Sequence, residues 1–176
     1  RVIYMNDKIN SKKKFLFKFT YKNNYIFKLS NIYYFEIIVD EQNFREPWEN
    51  SCISVGFAKN DFPFYGFQLG WLKYSFGFHS DDGNIFCDNQ HGSNFSESWG
   101  NGDTIGSGLI YSKKKKNITC FFTKNGNLLG FVNKRLHITT ELVPMVGIDS
   151  PYGIEINLGE KEFKFNIYNF MQDYSE

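Results

Sequence analysis

The stretch Gly70–Asp88, GWLKYSFGFHSDDGNIFCD, gathers the residue types that catalysis and metal binding use. His79 stands beside Asp81 and Asp82, and Cys87 follows a few positions later. A Cys87–His79 pair facing across a hairpin could generate a thiolate nucleophile. A triad needs a third, orienting group, and the chain has only His79, His91 and His137 as imidazole bases and no GxSxG elbow. His79, Asp81, Asp82, Asn84 and Asp88 offer nitrogen and oxygen ligands within ten residues. Their spacing matches neither a calcium loop nor a zinc motif. The glycine-rich GNGDTIGSG runs into a strand pattern, so no helix N-terminus follows to hold a phosphate. The reading that needs least is structural, with strand, turn and strand, a small Cys inside and His79 pointing outward near the tip. No catalytic residue, metal or cofactor is assigned on this basis.

Positioning any such cluster falls to short strands. Apolar and polar residues alternate in IYYFEIIVD, SCISVGFAK, YSFGFHS, NITCFFTK and LVPMVGID, and no helical period persists beyond about two turns. In YSFGFHS the alternation places Tyr74, Phe76 and Phe78 on one face, expected in the core, and Ser75, Gly77 and His79 on the other. Asp82-Gly83 and Asn125-Gly126 read as two-residue hairpin turns, because both dipeptides tolerate positive φ. Many strands at short spacing predict an antiparallel β-sandwich. The tail YNFMQDYSE reads as a short helical or frayed end.

Bulk composition narrows the partners. The chain has 176 residues, enough for one well-buried domain, with 20 Lys and Arg against 19 Asp and Glu. That balance offers no basic surface for nucleic acid or an anionic membrane. Lys12–Lys14 and Lys113–Lys116 are read as solvated turns. Cys52, Cys87 and Cys120 form no CxxC pair and sit among apolar residues, as buried thiols of a reducing, intracellular compartment do. No apolar run approaches the length of a membrane span. The chain opens on Arg1 rather than Met, so it is expected to be a piece of a longer protein.

Aromatics make up 19% of the chain, and many fall in predicted loops. NDFPFYGFQLGWLK carries more rings than a solvated loop needs. Rings on loops at the rim of a rigid sandwich supply contact area at low entropic cost, which suits capture of a peptide. Trp48 or Trp99 could instead stack on a sugar, so a carbohydrate-binding sandwich is the alternative from another class.

The ordered motifs IYYFEIIV, ISVGFA, GWLKYSFGFHSDDGNIF, GDTIGSG, CFFTKNGNLLG, LVPMVGI and INLG resemble those of SPRY domains, from about Asn31 to Ile167. The GW…HSDDG and TKNG…LG signatures are most similar to the subgroup of Ran-binding protein M and the yeast vacuolar and endosomal adaptors. The resemblance implies an all-β, bent antiparallel sandwich of concanavalin-like jelly-roll architecture without catalytic activity. It also implies a shallow loop surface for short segments of other proteins, in scaffolds or adaptors that often serve ubiquitin-ligase assemblies. Ser80 stands where the subgroup usually has Gly, YSKKKKN and EQNFREPWENS look longer than the family's turns, and the LisH and CTLH segments of Ran-binding protein M are absent. Carried onto this chain, the family's ligand surface falls on Tyr65 or Phe67 and on Tyr152 and Gly153, with Arg45 nearest to a basic residue of some relatives' early loop, and the rings of Trp71, Phe44 and Trp48 are read as completing the same pocket. The expected layout is flanking strands in 1–30, the SPRY domain in 31–168 and a tail in 169–176. The expected partner is protein, with no nucleic acid and no membrane contact. The expected state is a monomer in the cytoplasm or at the cytosolic face of an organelle.

Overall fold

In a computed structural model, residues 2–3, 15–18, 27–29, 31–40, 51–112, 117–137, 142–150 and 153–173 are described. Strands dominate. They are β1 (Val2–Ile3), β2 (Phe15–Lys18), β3 (Phe27–Leu29), β4 (Ile32–Val39), β5 (Cys52–Lys59), β6 (Ser75–His79) and β7 (Asn84–Cys87). After them come β8 (Ser93–Asn94), β9 (Thr104–Ser112), β10 (Asn117–Lys124), β11 (Asn127–His137), β12 (Leu142–Asp149) and β13 (Ile154–Asn157), and then helix α1 (Ile167–Gln172).

All pairings are antiparallel and fall into two sheets. The first runs β1-β13-β4-β9-β10-β11, with β3 added on β4, and the second runs β2-β12-β5-β6-β7-β8. The period-2 patterns explain the layering. Phe35, Ile37 and Val39 of β4 face Ile53, Val55 and Phe57 of β5, Phe76 and Phe78 of β6, and Val146 and Ile148 of β12 in one buried cluster. Each such side chain contributes roughly 1.5–3 kcal/mol by leaving water. The three cysteines are free thiols, Cys52 and Cys120 buried and Cys87 half-buried. Burial pushes the Cys120 thiol well above its ordinary value.

The opposite parity of the first sheet is also covered. Ile32, Tyr34 and Phe121 pack against Phe165, Ile167 and Phe170 from the C-terminal segment. Glu36, buried on that face, accepts the backbone N–H groups of Lys164 and Phe165 at 3.0 Å each and the Tyr34 hydroxyl at 3.0 Å. This carboxylate fixes where the tail crosses the sheet. Asn166 caps α1 by accepting from the Asn169 N–H.

The two expected hairpins differ. Asn125 and Gly126 have φ of 53° and 83° between the paired residues Lys124 and Asn127, a two-residue turn as expected. At the other site only Gly83 has positive φ, and Ser80–Gly83 together make the turn, with Asp82 accepting from the Asn84 backbone and side chain. Asp82 acts as a short-range brace there, so the dipeptide alone does not set the turn. Tyr74, expected in the core, is 42% exposed at φ 62°, because the chain enters β6 only at Ser75.

Candidate partner-binding surface

Between the end of β5 and the start of β6 the chain does not turn tightly. Residues 60–74 fold back over the outer face of the second sheet instead. The base is closed by Lys59 N–H donating to the Tyr74 carbonyl at 3.0 Å and Phe62 N–H to the Lys59 carbonyl at 2.9 Å. Lys59 also pairs with Asp61 at 2.8 Å, which holds its ammonium above the ordinary value. Phe62 and Leu69 are buried against Ala58, Val143 and Met145, with Phe67 and Leu72 packed on the edge of that cluster.

Polar contacts pin the returning limb. Ser54 Oγ donates to Gln68 Oε1 at 2.6 Å, and Gly70 N–H donates to Ser75 Oγ at 3.0 Å. The Asn89 N–H donates to the Gly70 carbonyl at 3.0 Å, and the Tyr74 N–H to Asp88 Oδ1 at 2.6 Å. Gly77 lets the limb lie this close, since a Cβ there would stand 2.6 Å from the Leu69 carbonyl carbon. His79 therefore points outward, as expected, yet it is only 2% exposed. Its Nε2 lies 2.8 Å from the Leu69 carbonyl oxygen, and its ring stacks on Phe86 at 4.0 Å. The sequence placed His79 on the correct face and missed the cover.

The limb's anchors and its exposed rings are separate residues. Phe64 is 44% and Tyr65 62% exposed, while Phe67 and Trp71 are half-buried. The Trp71 ring lies beside His79 and Phe86, with centroids at 6.2 and 6.4 Å. With Tyr74, this connection supplies three of the five exposed large hydrophobic side chains among the described residues. Gly153 is buried, and its carbonyl accepts the Asp40 N–H at 2.9 Å. Register puts it near the Cys52–Asp149 end of the second sheet, whereas the limb starts at the Lys59–Leu142 end and reaches back to His79. That run along β5 spans about 17 Å. Tyr152, Phe44, Arg45 and Trp48 lie outside the described residues.

The chemical alternatives resolve by face. Cys87 is opposite Phe76 and packs on the inter-sheet core, so it lies on the face away from His79 and the two make no nucleophile–base pair. Asp82 and Asp88 are engaged in turn bonds rather than turned to a common ligand. Trp99 is 6% exposed and packs against Phe78 at 5.6 Å, so it offers no platform for a sugar. What the sequence did not reveal is Cys52, which stands with His79 and Asp81 on the outer face. Burial first, and the neighbouring Asp81 carboxylate second, push its thiol pKa upward.

Comparison with known proteins agrees with this architecture. The family model described as SPRY domain matches residues 32–161. The chain belongs to the SPRY domain family. A SPRY domain is a protein-interaction module. Ran-binding protein 10 of Danio rerio is 35% identical over 81% of this chain, and Ran-binding protein 9 of Homo sapiens 34% identical over 81%. The Ran-binding protein M homolog of Arabidopsis thaliana is 32% identical over 78%. The matched segments are only 22%, 18% and 27% of those relatives' own lengths. A crystal structure of a human SPRY domain superposes with a TM-score of 0.70 at 24% identity, covering 92% of this chain and 97% of that one. The SPRY domain of human HERC1 gives 0.53 at 18% identity, covering 76% and 78%. No helix among the described residues is long and apolar enough to cross a membrane.

Proposed function

We propose that this SPRY domain holds a short extended segment of a partner protein against the rings of the 60–74 connection. The observation that carries the reading is the pairing of exposure with rigidity. Phe64 and Tyr65 stand in solvent on a short span held at both ends, by Phe62 in the core and by the Leu69 and Gly70 N–H groups bonded to Ser54 and Ser75. Little ordering entropy then remains to be lost when a ligand covers them. Tyr65 is the central contact, with Phe67 and Trp71 flanking it. Gly153 is assigned as a further contact, as are Tyr152, Phe44, Arg45 and Trp48, which lie outside the described residues. The domain would act as the scaffold or substrate-receiving part of a longer protein, of the kind that serves ubiquitin-ligase assemblies.

The test is selection of binding segments from a displayed peptide library, followed by titration of the selected peptides. Tyr65→Ala should weaken binding by about 2 kcal/mol, roughly 30-fold, with Tm unchanged. Equal affinity of the variant and the wild-type protein for every selected peptide refutes the surface.

A further inference from the structure

The outer face of the second sheet carries a cluster that the peptide surface does not use. Ser54 pairs with His79 across β5 and β6, and the Ser80 N–H donates to the Ile53 carbonyl at 2.9 Å, extending the ladder one residue further. The next position sets Cys52 opposite Asp81. Side chains alternate along a strand, so Cys52, Ser54, His79 and Asp81 all project from the same face. The Cys52 sulfur, a His79 ring nitrogen and an Asp81 carboxylate oxygen lie within 4.8 Å of one another.

We propose that Cys52, His79 and Asp81 form a three-ligand site for a divalent zinc ion, open to solvent on the Asp81 side.

Three features support it. The donor set is the sulfur, imidazole and carboxylate mixture that zinc accepts, and three ligands with an open fourth position suit its tetrahedral preference. Ligand atoms around tetrahedral zinc stand about 3.3–3.8 Å apart, given bonds of about 2.0–2.3 Å, so a modest side-chain rotation closes the present cluster. The Leu69 carbonyl also fixes the His79 tautomer. The Leu69 carbonyl can only accept, so Nε2 at 2.8 Å carries the proton and Nδ1 carries the lone pair. A carbonyl holding the second imidazole N–H is the usual support behind a zinc-bound histidine. Access is graded too. Cys52 and His79 are 5% and 2% exposed, whereas Asp81 is exposed, giving a dry inner pair and a wet outer ligand.

Zinc would replace the thiol proton on Cys52 and tie the start of β5 to the β6–β7 turn. This assignment is independent of which segment the rings hold. Cobalt(II) is the spectroscopic probe and zinc the affinity probe, used on the whole chain with folding checked by circular dichroism. The wild-type protein should give a thiolate-to-cobalt charge-transfer band, a zinc-dependent rise in Tm and measurable competition with a chromophoric chelator. Cys52→Ala should abolish the band, Cys87→Ser should keep it, and the exposed Asp81→Asn should weaken zinc by at least about tenfold while staying folded. No cobalt band in the folded wild-type protein overturns the proposal. So does a band that survives Cys52→Ala, or zinc affinity equal in Asp81→Asn and wild type.

Discussion

Exchange of Glu36 for Gln tests how the C-terminal segment is held. The carboxylate only accepts, and three donors converge on it: the Tyr34 hydroxyl and Phe165 N–H on Oε1, and the Lys164 N–H on Oε2. The amide of Gln keeps one accepting oxygen and puts an NH2 group in the other place. If the oxygen stays with Tyr34 and Phe165, the Lys164 N–H faces a donor. If the amide flips, the Phe165 N–H faces a donor and the Tyr34 hydroxyl must turn to Thr123 and accept instead. At least one bond to a charged acceptor, worth about 1.5–3 kcal/mol, is lost, and the survivors weaken to neutral strength. The site is 2% exposed, so water does not readily repair the loss. The expected destabilisation is about 2–4 kcal/mol, read from the urea midpoint at constant m-value. Hydrogen exchange adds a local readout, in which the Lys164 and Phe165 amides should lose protection ahead of the β5 and β6 ladder. Wild-type protection at both amides, with a stability loss below about 1 kcal/mol, would refute the argument.

Two further outcomes follow from contacts already described. Gly77→Ala should lower stability by about 1–3 kcal/mol and weaken peptide binding with it, because the new methyl pushes the Leu69 backbone off the sheet; an unchanged Tm would show that the limb does not rest there. Burial first, and the Glu36 charge second, raise the Tyr34 pKa above its ordinary value of roughly 10, so the unfolded chain loses that proton before the folded one does. Stability should therefore be intact below about pH 9 and fall as pH climbs past 10, with a shallower fall in Tyr34→Phe; equal slopes in the two proteins would exclude Tyr34 as the cause.

Strand identity was legible from the alternation in IYYFEIIVD, SCISVGFAK and YSFGFHS, and in the last of these parity put Phe76 and Phe78 in the core, where the structure places both. Parity does not say what lies beyond the sheet. The exposed face of β6 looked free for His79, and only the folded 60–74 connection, sitting on Gly77, buries it. Ring density in that connection marked it as unusual, but half of its apolar residues serve as a cover rather than a contact. Tyr74 was misplaced because a strand pattern continues one residue past the point where the backbone leaves the ladder. The Cys52–His79–Asp81 cluster could not be read from spacing, since it depends on the β5–β6 register across a long connection.

The limb is fixed at Phe62 and again at Gln68–Gly70, while residues 63–66 between these points are exposed and bear no load in the core. Mutational drift at 63–65 would leave the frame intact, whereas Gly66 turns the chain at φ 85° and has to stay, so a lineage or an engineer could retune what the domain recognises without repacking it. Ligand preference and foldability are then inherited separately, and libraries randomised at 63–65 with Gly66 kept should yield mostly well-behaved proteins.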